Sequence, residues 1–404
     1  MTSRTREILF LAQRVPFPPD RGDRITTWNL LRRFLEDGHR VRVGCFLEAP
    51  EDAANAAALR ERGCEVFAFR IRDKLRRLKS LPALLGTKPL TLPYFRHGGL
   101  RAALRASLAE RPADCAYAYS SSMGLYFLDL ERELAGARKI AHFAELDSDK
   151  WAQYAATLGF PGKLVYGREA RTLLEWERKL AAVADLNILV SRVEEQIFEE
   201  RIPGRPTFVL PNGVDLEHFH PDPQVAKVPR SVVFTGVMNY HPNVDGMLHF
   251  VEVCWPKIRA RHGDAGCFIV GSRPTPEIEA LGGKDGITVT GRVPETVPWM
   301  QKASVGIAPL RIARGIQNKV LEAMACGLPV VTSPLAAGGI DATDGEHFMI
   351  ARDDAQTTAA ILELFEVEAR ARALGAAARA RMEERYGWKA VLDQLDTICG
   401  FEEA

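Results

Sequence analysis

The feature that most constrains this chain is an order of short apolar runs and helical stretches that starts twice. In the first half the runs are EILFLA (7–12), RVRVGCF (40–46), CEVFAF (64–69), DCAYAY (114–119), KIAHFA (139–144), LNILV (186–190) and PTFVL (206–210). Helical patterns separate most of them, and that order predicts a parallel sheet covered by helices on both faces. The order restarts with SVVFTG (231–236), GCFIVG (266–271), GITVTG (286–291), SVGIAPL (304–310), LPVVTS (328–333) and HFMIA (347–351). Between the halves lies PNGVDLEHFHPDPQVAKVPR (211–230), rich in Pro, Gly and Asp and without periodicity. At 404 residues the chain exceeds one ordinary core. The expectation is an α/β protein of two doubly wound domains, 1–210 and 211–384, followed by a helical segment, 385–404. In such sheets ligands bind beyond the carboxyl ends of the strands, so two domains facing each other would make a cleft.

Charge and cysteine content exclude several classes. A formal net charge of +1 gives no reason to expect global nucleic-acid binding. The seven cysteines are scattered and form no C-x-x-C pair, which suggests reduced thiols in a cytoplasm rather than a zinc site or a disulfide framework. The first apolar run, ILFLA (8–12), is too short for an export signal and is followed by Gln13 and Arg14. The uncharged stretch Ala323–Ile340 holds two prolines and three glycines, so it reads as a helix end, a strand and a loop rather than a membrane span.

The stretch RIARGIQNKVLEAMACGLPVV (311–331) carries the sharpest chemistry. Gly315, Ile316, Gln317 and Asn318 can open a helix that runs to about Cys326, where Gly327 and Pro329 end it. A helix N-terminus presents unpaired N–H groups and partial positive charge, which suits a diphosphate. Lys319 adds a formal charge in the first turn. Glu322, three residues on and on the same face, stands alone in an apolar run, where an unpaired carboxylate is costly. It can accept both hydroxyls of a ribose, or it can simply pair with Lys319 on a solvated surface.

KVLEAMACGLPVV, together with NGVDLEHFHP (212–221), resembles glycosyltransferase family 4, whose members have the GT-B fold. The resemblance implies that Glu322 holds the nucleotide ribose. It implies base contacts from backbone near Gly291, Arg292 and Val293 in GRVPETVPWMQKASVGIAPLR (291–311), and close approach to the diphosphate at Gly236 in FTGVMNYHPNVDGMLHF (234–250). Two departures from the family pattern stand out. Arg314 occupies the position of the first glutamate of the E-x7-E pair that touches the donor sugar, and the loop after Gly236 reads Met238, Asn239, Tyr240, with Asn243 further on, where an Arg…Lys pair is common. Arg311, Arg314 and Lys319 can supply the missing charge. The same wording is similar to that of the sugar transferases associated with bacterial PEP-CTERM exopolysaccharide loci.

In the first half, RVPFPPDRGDRITTWNL (14–30) resembles the family's glycine-bearing loop that faces the donor across the cleft. There Gly22 permits close approach, Asp23 would cap a helix starting near Arg24, and Arg21 or Arg24 can reach a phosphate. A plain strand–turn–helix connection is the alternative. In HFAELDSDKW (142–151), Glu145 or Asp147 can orient an acceptor hydroxyl, or Asp147 can cap the following helix; His142 reads as a buried, partnered histidine. The D-x-D at 147–149 imitates the metal motif of the other glycosyltransferase fold, which two tandem doubly wound halves do not fit. Segment 70–105 is basic, with Arg72, Arg76, Arg77 and Lys79 among its cations and leucines interleaved. It suits an anionic lipid surface or a lipid-linked pyrophosphate, or it is a solvated helix face.

The combined expectation is a retaining transferase. It would move a sugar from a nucleoside diphosphate sugar to a polyprenyl-linked saccharide of cell-surface polysaccharide, with no metal, cofactor or nucleic acid. It would work in the cytoplasm or at the inner membrane face, with Glu145, Asp147 and Lys319 at the reacting centre. The resemblance also implies that the last residues, from 385, cross back to the first domain. An epimerase of the same fold and a non-catalytic nucleotide-sugar-binding subunit are the competing readings.

Overall fold

The computed structural model describes residues 4–71, 86, 88–313 and 315–401. Arg72, Arg76, Arg77, Lys79 and Arg314 lie outside the described residues. The chain divides into two compact units, Met1–Leu210 with Leu392–Ala404, and Pro211–Val391.

The sheet of unit 1 is parallel throughout, in the order β3-β2-β1-β4-β5-β6-β7. Its strands are β1 (Glu7–Leu11), β2 (Arg40–Leu47), β3 (Glu65–Arg70), β4 (Cys115–Tyr119), β5 (Arg138–Ala144), β6 (Leu186–Leu189) and β7 (Thr207–Val209). Central strands of such a sheet are covered on both faces, so they read as continuous apolar runs. In β1 all of Ile8–Leu11 is buried. The strand order reverses between β1 and β4, which pair in register from Ile8 with Cys115 to Leu11 with Ala118.

Unit 2 repeats the design in the order β10-β9-β8-β11-β12-β13. The strands are β8 (Ser231–Thr235), β9 (Gly266–Val270), β10 (Ile287–Val289), β11 (Val305–Ala308), β12 (Val330–Thr332) and β13 (Met349–Ile350). The reversal here falls between β8 and β11. Each unit has its own apolar core, one around Phe10, Phe46 and Phe127 and the other around Phe234, Trp255 and Met324. All seven cysteines are buried and free.

The end of the chain divides at Leu392 rather than at 385. Residues 386–391 stay with unit 2 because Trp388 packs against Gly213 so closely that a Cβ there would lie 2.3 Å from the indole, while Val214 N–H donates to Tyr386 O at 2.7 Å. Beyond that point, Asp393 pairs with Arg33 at 2.7 Å, Arg138 Nε donates to Ile398 O at 2.9 Å and Arg6 stacks over Phe401, all within unit 1.

Candidate active site

Loops leaving β8, β9, β10 and β11 share the carboxyl edge of the second sheet. Val237, Met238 and Asn239 follow β8, and the helix His241–His249 begins two residues later with Pro242 in its first turn, where a missing N–H costs nothing. Gly236 has φ +157° and Gly271, after β9, has φ +152°. Their backbones touch: a Cβ on Gly271 would lie 1.7 Å from Gly236 O, and one on Gly236 would lie 2.7 Å from the Asn243 amide and 3.5 Å from Lys319 Nζ. Gly236 N–H donates to Val270 O at 3.0 Å and Met238 N–H to Ser272 O at 2.8 Å, so the two loops form one rigid cradle. The bare side of Gly236 therefore faces Asn243 and Lys319.

Lys319 belongs to the helix Asn318–Ala325, which starts later than the wording of the segment suggests. Gly315, at φ +62°, turns the chain; Ile316 packs on the core; Gln317 is the N-cap residue without a side-chain cap; and Asn318 accepts from Asn212 Nδ2 at 3.4 Å. Val320 N–H bonds back to Gln317 O at 2.9 Å, and the amides before it belong to the set that an α-helix cannot satisfy internally. The Lys319 ammonium donates to Asn243 Oδ1 at 2.5 Å and lies 4.5 Å from the centroid of Phe234, a cation–π distance. Asn243 is in turn fixed by donating to Val237 O at 2.9 Å.

No ion pair within 4.0 Å joins Lys319 to Glu322, nor does the Glu322 carboxyl have a hydrogen-bond partner among the described residues. The surface salt bridge is thereby replaced by a lysine held on a neutral amide and a carboxyl left over. Burial pushes the Lys319 ammonium down to about 8 and the Glu322 carboxyl up to about 7, each opposed by the attraction of the other. Glu322 nonetheless keeps part of its surface open to solvent, so its carboxyl is hemmed in yet reachable. Two ionisable groups whose pKa values are drawn toward neutrality, on a helix that begins beside the half-buried Gly236 backbone, match an anionic ligand that also bears hydroxyls.

The remaining donor-side expectations divide. Gly291 takes φ +63° after β10 and Arg292 is exposed, while Val293 packs on the core. The Met238 side chain is fully buried, so only its backbone can face a ligand; Asn239 is exposed. Arg311, more than half exposed, stands 3.7 Å from Asp245. Gly271 and Phe234 were missed. The glycine was legible by analogy, since GCFIVG ends as SVVFTG does, but nothing in the sequence sets Phe234 beneath a lysine.

At the carboxyl edge of unit 1 the charges are paired with one another. The helix Gly22–Glu36 has Arg21 as its N-cap residue, so Asp23 does not cap it; Asp23 instead pairs with Arg14 at 3.1 Å and Arg21 at 2.7 Å. Arg14 also reaches Glu48 at 2.7 Å. Arg24 is mostly buried and pairs with the fully buried Asp52 at 2.9 Å, which corrects its expected role as a phosphate contact: its charge is already neutralised. A Cβ at Gly22 would meet nothing within 4 Å, so the fold itself does not demand glycine there.

Asp147 begins the helix Asp147–Thr157 but does not cap it, because Leu146 holds the N-cap position. Its carboxylate accepts from Ser121 Oγ at 3.0 Å, and Glu145 is half-buried just before it. The helix N-terminus is served by Glu177, from the helix Gly162–Val183: its carboxyl accepts from Ser148 N–H at 3.2 Å and bonds the Ser148 hydroxyl. Burial, with Asp147's charge added, raises Glu177 to about 8. Its position in the apolar stripe Ala170, Leu173, Glu177, Leu180 is the signal in the sequence that marks it. His142 is buried with Nδ1 2.7 Å from Tyr117 Oη, and burial lowers it to about 3.

Among the described residues, one triad has metal-ligand spacing: Asp37, His39 and Asp396, within 4.8 Å of one another. It precedes β2, at the amino ends of the strands, and Asp37 already pairs with Arg33 at 2.7 Å.

Two tandem parallel units with this edge chemistry define the GT-B class. Residues 22–213 match the family model described as "Glycosyl transferase 4-like domain" and residues 229–366 that described as "Glycosyl transferases group 1". The chain thus carries both domains of the family 4 type of GT-B glycosyltransferase. Over 247 residues it is 25% identical to a GDP-mannose-dependent monoacylated alpha-(1-6)-phosphatidylinositol monomannoside mannosyltransferase of Corynebacterium glutamicum, covering 56% of this chain and 64% of that protein. The chain spans less than two thirds of the length of the curated relatives it matches. In fold it is similar to sucrose-phosphate synthase from Thermosynechococcus elongatus (TM-score 0.72, 18% identity, 97% of this chain and 98% of that one). It is likewise similar to HepE of Anabaena in complex with UDP (TM-score 0.69, 17% identity, 98% and 99%).

Proposed function

We propose that this protein is a retaining glycosyltransferase that moves a sugar from a nucleoside diphosphate sugar to the hydroxyl of a lipid-borne acceptor, of the polyprenyl-linked kind used in exopolysaccharide or other cell-surface polysaccharide synthesis. The observation that carries the reading is the set Gly236, Asn243, Lys319 and Glu322 on the carboxyl edge of unit 2. The bare Gly236 backbone, the Lys319 ammonium and the helix N-terminus receive the diphosphate, and Glu322 accepts the ribose hydroxyls. In the transfer the bond from the anomeric carbon to the diphosphate oxygen breaks and a bond to the acceptor oxygen forms on the same face. The acceptor proton passes to the departing diphosphate, whose growing charge Lys319 and the helix N-terminus stabilise. No metal is assigned a part. Glu145 and Asp147, on the carboxyl edge of unit 1, orient the acceptor hydroxyl. The Corynebacterium relative's name favours a lipid-borne polyol or sugar as acceptor and puts GDP first among nucleotides to test.

Calorimetric titration with GDP, UDP and ADP, with Glu322→Ala beside the native chain, tests the site. One nucleotide should bind in the micromolar range, weakened in the variant by about 1–3 kcal/mol as its hydroxyls lose their acceptor. A folded protein that binds none of the three would end the reading. Binding without transfer to any acceptor in a membrane extract would instead assign the chain to non-catalytic nucleotide-sugar binding.

A further inference from the structure

The helices Asp147–Thr157 and Gly162–Val183 form a hairpin whose tip, residues 154–165, takes no part in the chemistry above. The tip lies roughly 15 Å along the helix axis from Asp147, at 1.5 Å per residue. Thirteen large hydrophobic residues are exposed among the described residues, and five fall on this tip: Tyr154, Leu158, Phe160, Leu164 and Val165. Phe160, at the turn, is 82% exposed and Leu164 64%. Scattered exposed hydrophobics need no explanation, but a contiguous group marks a surface that something covers.

The tip is stiff. Trp151 and Tyr166 pack at 5.0 Å between ring centroids, Trp151 and Tyr154 at 5.9 Å, and Gly167 lets Ala155 approach. The exposed side chains of Leu158, Phe160, Leu164 and Val165 lie at the turn beyond this cluster.

Along the hairpin's own chain the charges have one sign. Residues 150–168 contain Lys150, Lys163 and Arg168 and no acidic residue. The acids on either side are turned to other partners. Glu169 is buried and accepts from Leu90 N–H at 2.8 Å and from Thr91 N–H at 3.2 Å, and Asp149 accepts from Gln153 at 2.9 Å and pairs with Arg201 at 3.4 Å. Arg168 donates to Gly86 O at 2.6 Å and Lys88 O at 3.0 Å, which fixes the exposed Lys88 beside the hairpin. An apolar turn backed by tyrosine and tryptophan, with the exposed Lys150 and Lys163 and no acid along residues 150–168, fits one partner chemistry, the interface of a bilayer that contains anionic lipids.

We propose that this hairpin tip is a membrane-docking surface, with Phe160 and Leu164 entering the headgroup–acyl boundary and Lys150 and Lys163 on the phosphates. Docking needs neither donor nor acceptor, so the inference stands apart from the transfer reaction. The test is flotation of the full chain with vesicles of phosphatidylcholine and phosphatidylglycerol in equal parts, and with phosphatidylcholine alone, at 0.1 M-range salt. The native chain should float with the mixed vesicles, and Phe160→Ser/Leu164→Ser should lose about tenfold or more in partitioning, with Lys150→Gln/Lys163→Gln losing less and mainly at low salt. Circular dichroism and nucleotide titration, both expected unchanged, show that the variants are folded. Native-level flotation of the double serine variant would overturn the proposal and leave the binding to another surface, such as the basic segment near residue 72. A native dimer that the same variant dissociates, with no flotation of either, would overturn it in favour of a second copy.

Discussion

The two sheet edges are built on the same plan and treat charge in opposite ways. On unit 1, Arg14, Arg21 and Arg24 are answered by Asp23, Glu48 and Asp52, and Asp147 and Glu177 by serine hydroxyls and a backbone amide. On unit 2, Lys319 is held on a neutral amide, and among the described residues Glu322 has neither a hydrogen bond nor an ion pair within 4.0 Å, only the attraction of Lys319. An edge that is neutralised internally offers hydroxyl-scale contacts, whereas an edge with two ionisable groups close to neutrality gains by binding a charged ligand. That difference supports the proposed placement of the anionic donor on unit 2 and of a polyol acceptor on unit 1.

The most severe way to break the comparison is at Asp52. Removing it with Asp52→Ala strands two backbone amides and leaves the mostly buried Arg24 only the exposed Asp20, 3.3 Å away, and should cost about 3 kcal/mol in urea unfolding. Nucleotide affinity should stay native in the protein that remains folded; a loss of affinity would show that the unit 1 network belongs to the donor site. Lys319→Ala should weaken a nucleoside diphosphate about a hundredfold, the worth of a charge-assisted bond, yet leave the free nucleoside unchanged. Equal losses for both ligands would mean that the helix, not the charge, had been damaged.

Glu322 sharpens the contrast through pH. Its folded carboxyl titrates near 7, above its unfolded value, so the folded chain holds a proton that the unfolded chain releases. Stability from this group is therefore fullest below the unfolded value and is lost as pH rises toward 7 and beyond. Glu322→Gln should raise stability at pH 8 by about 1–2 kcal/mol while weakening nucleotide binding, a trade expected only where a group is kept for a ligand. Ligand binding itself wants Lys319 protonated and Glu322 ionised, so affinity should peak between about 7 and 8 and fall on both sides; the glutamine variant should lose the acid limb. The smallest effect belongs to Ser121→Ala, which removes one hydrogen bond from Asp147 and should cost about 0.5–1.5 kcal/mol in stability with nucleotide binding untouched.

The thirteen strands were readable one by one: the central ones because a strand covered on both faces is apolar along its length, the half-buried edge strands because their short runs are bounded by turn residues. Glu322 and Lys319 were readable for a related reason, as charges set three apart in a helix that is otherwise buried. Contacts between distant segments were not. That Lys319 would choose Asn243 over Glu322, that Asp52 would neutralise Arg24, and that Glu177 rather than Asp147 would serve the helix N-terminus depends on side chains 28 to 76 positions apart. Local pattern thus determined the two doubly wound units and the residues worth watching. Which charges end up paired, and which are left for a ligand, only the packing of those units decided, because pairing is set by proximity in space and periodicity reports only proximity along the chain.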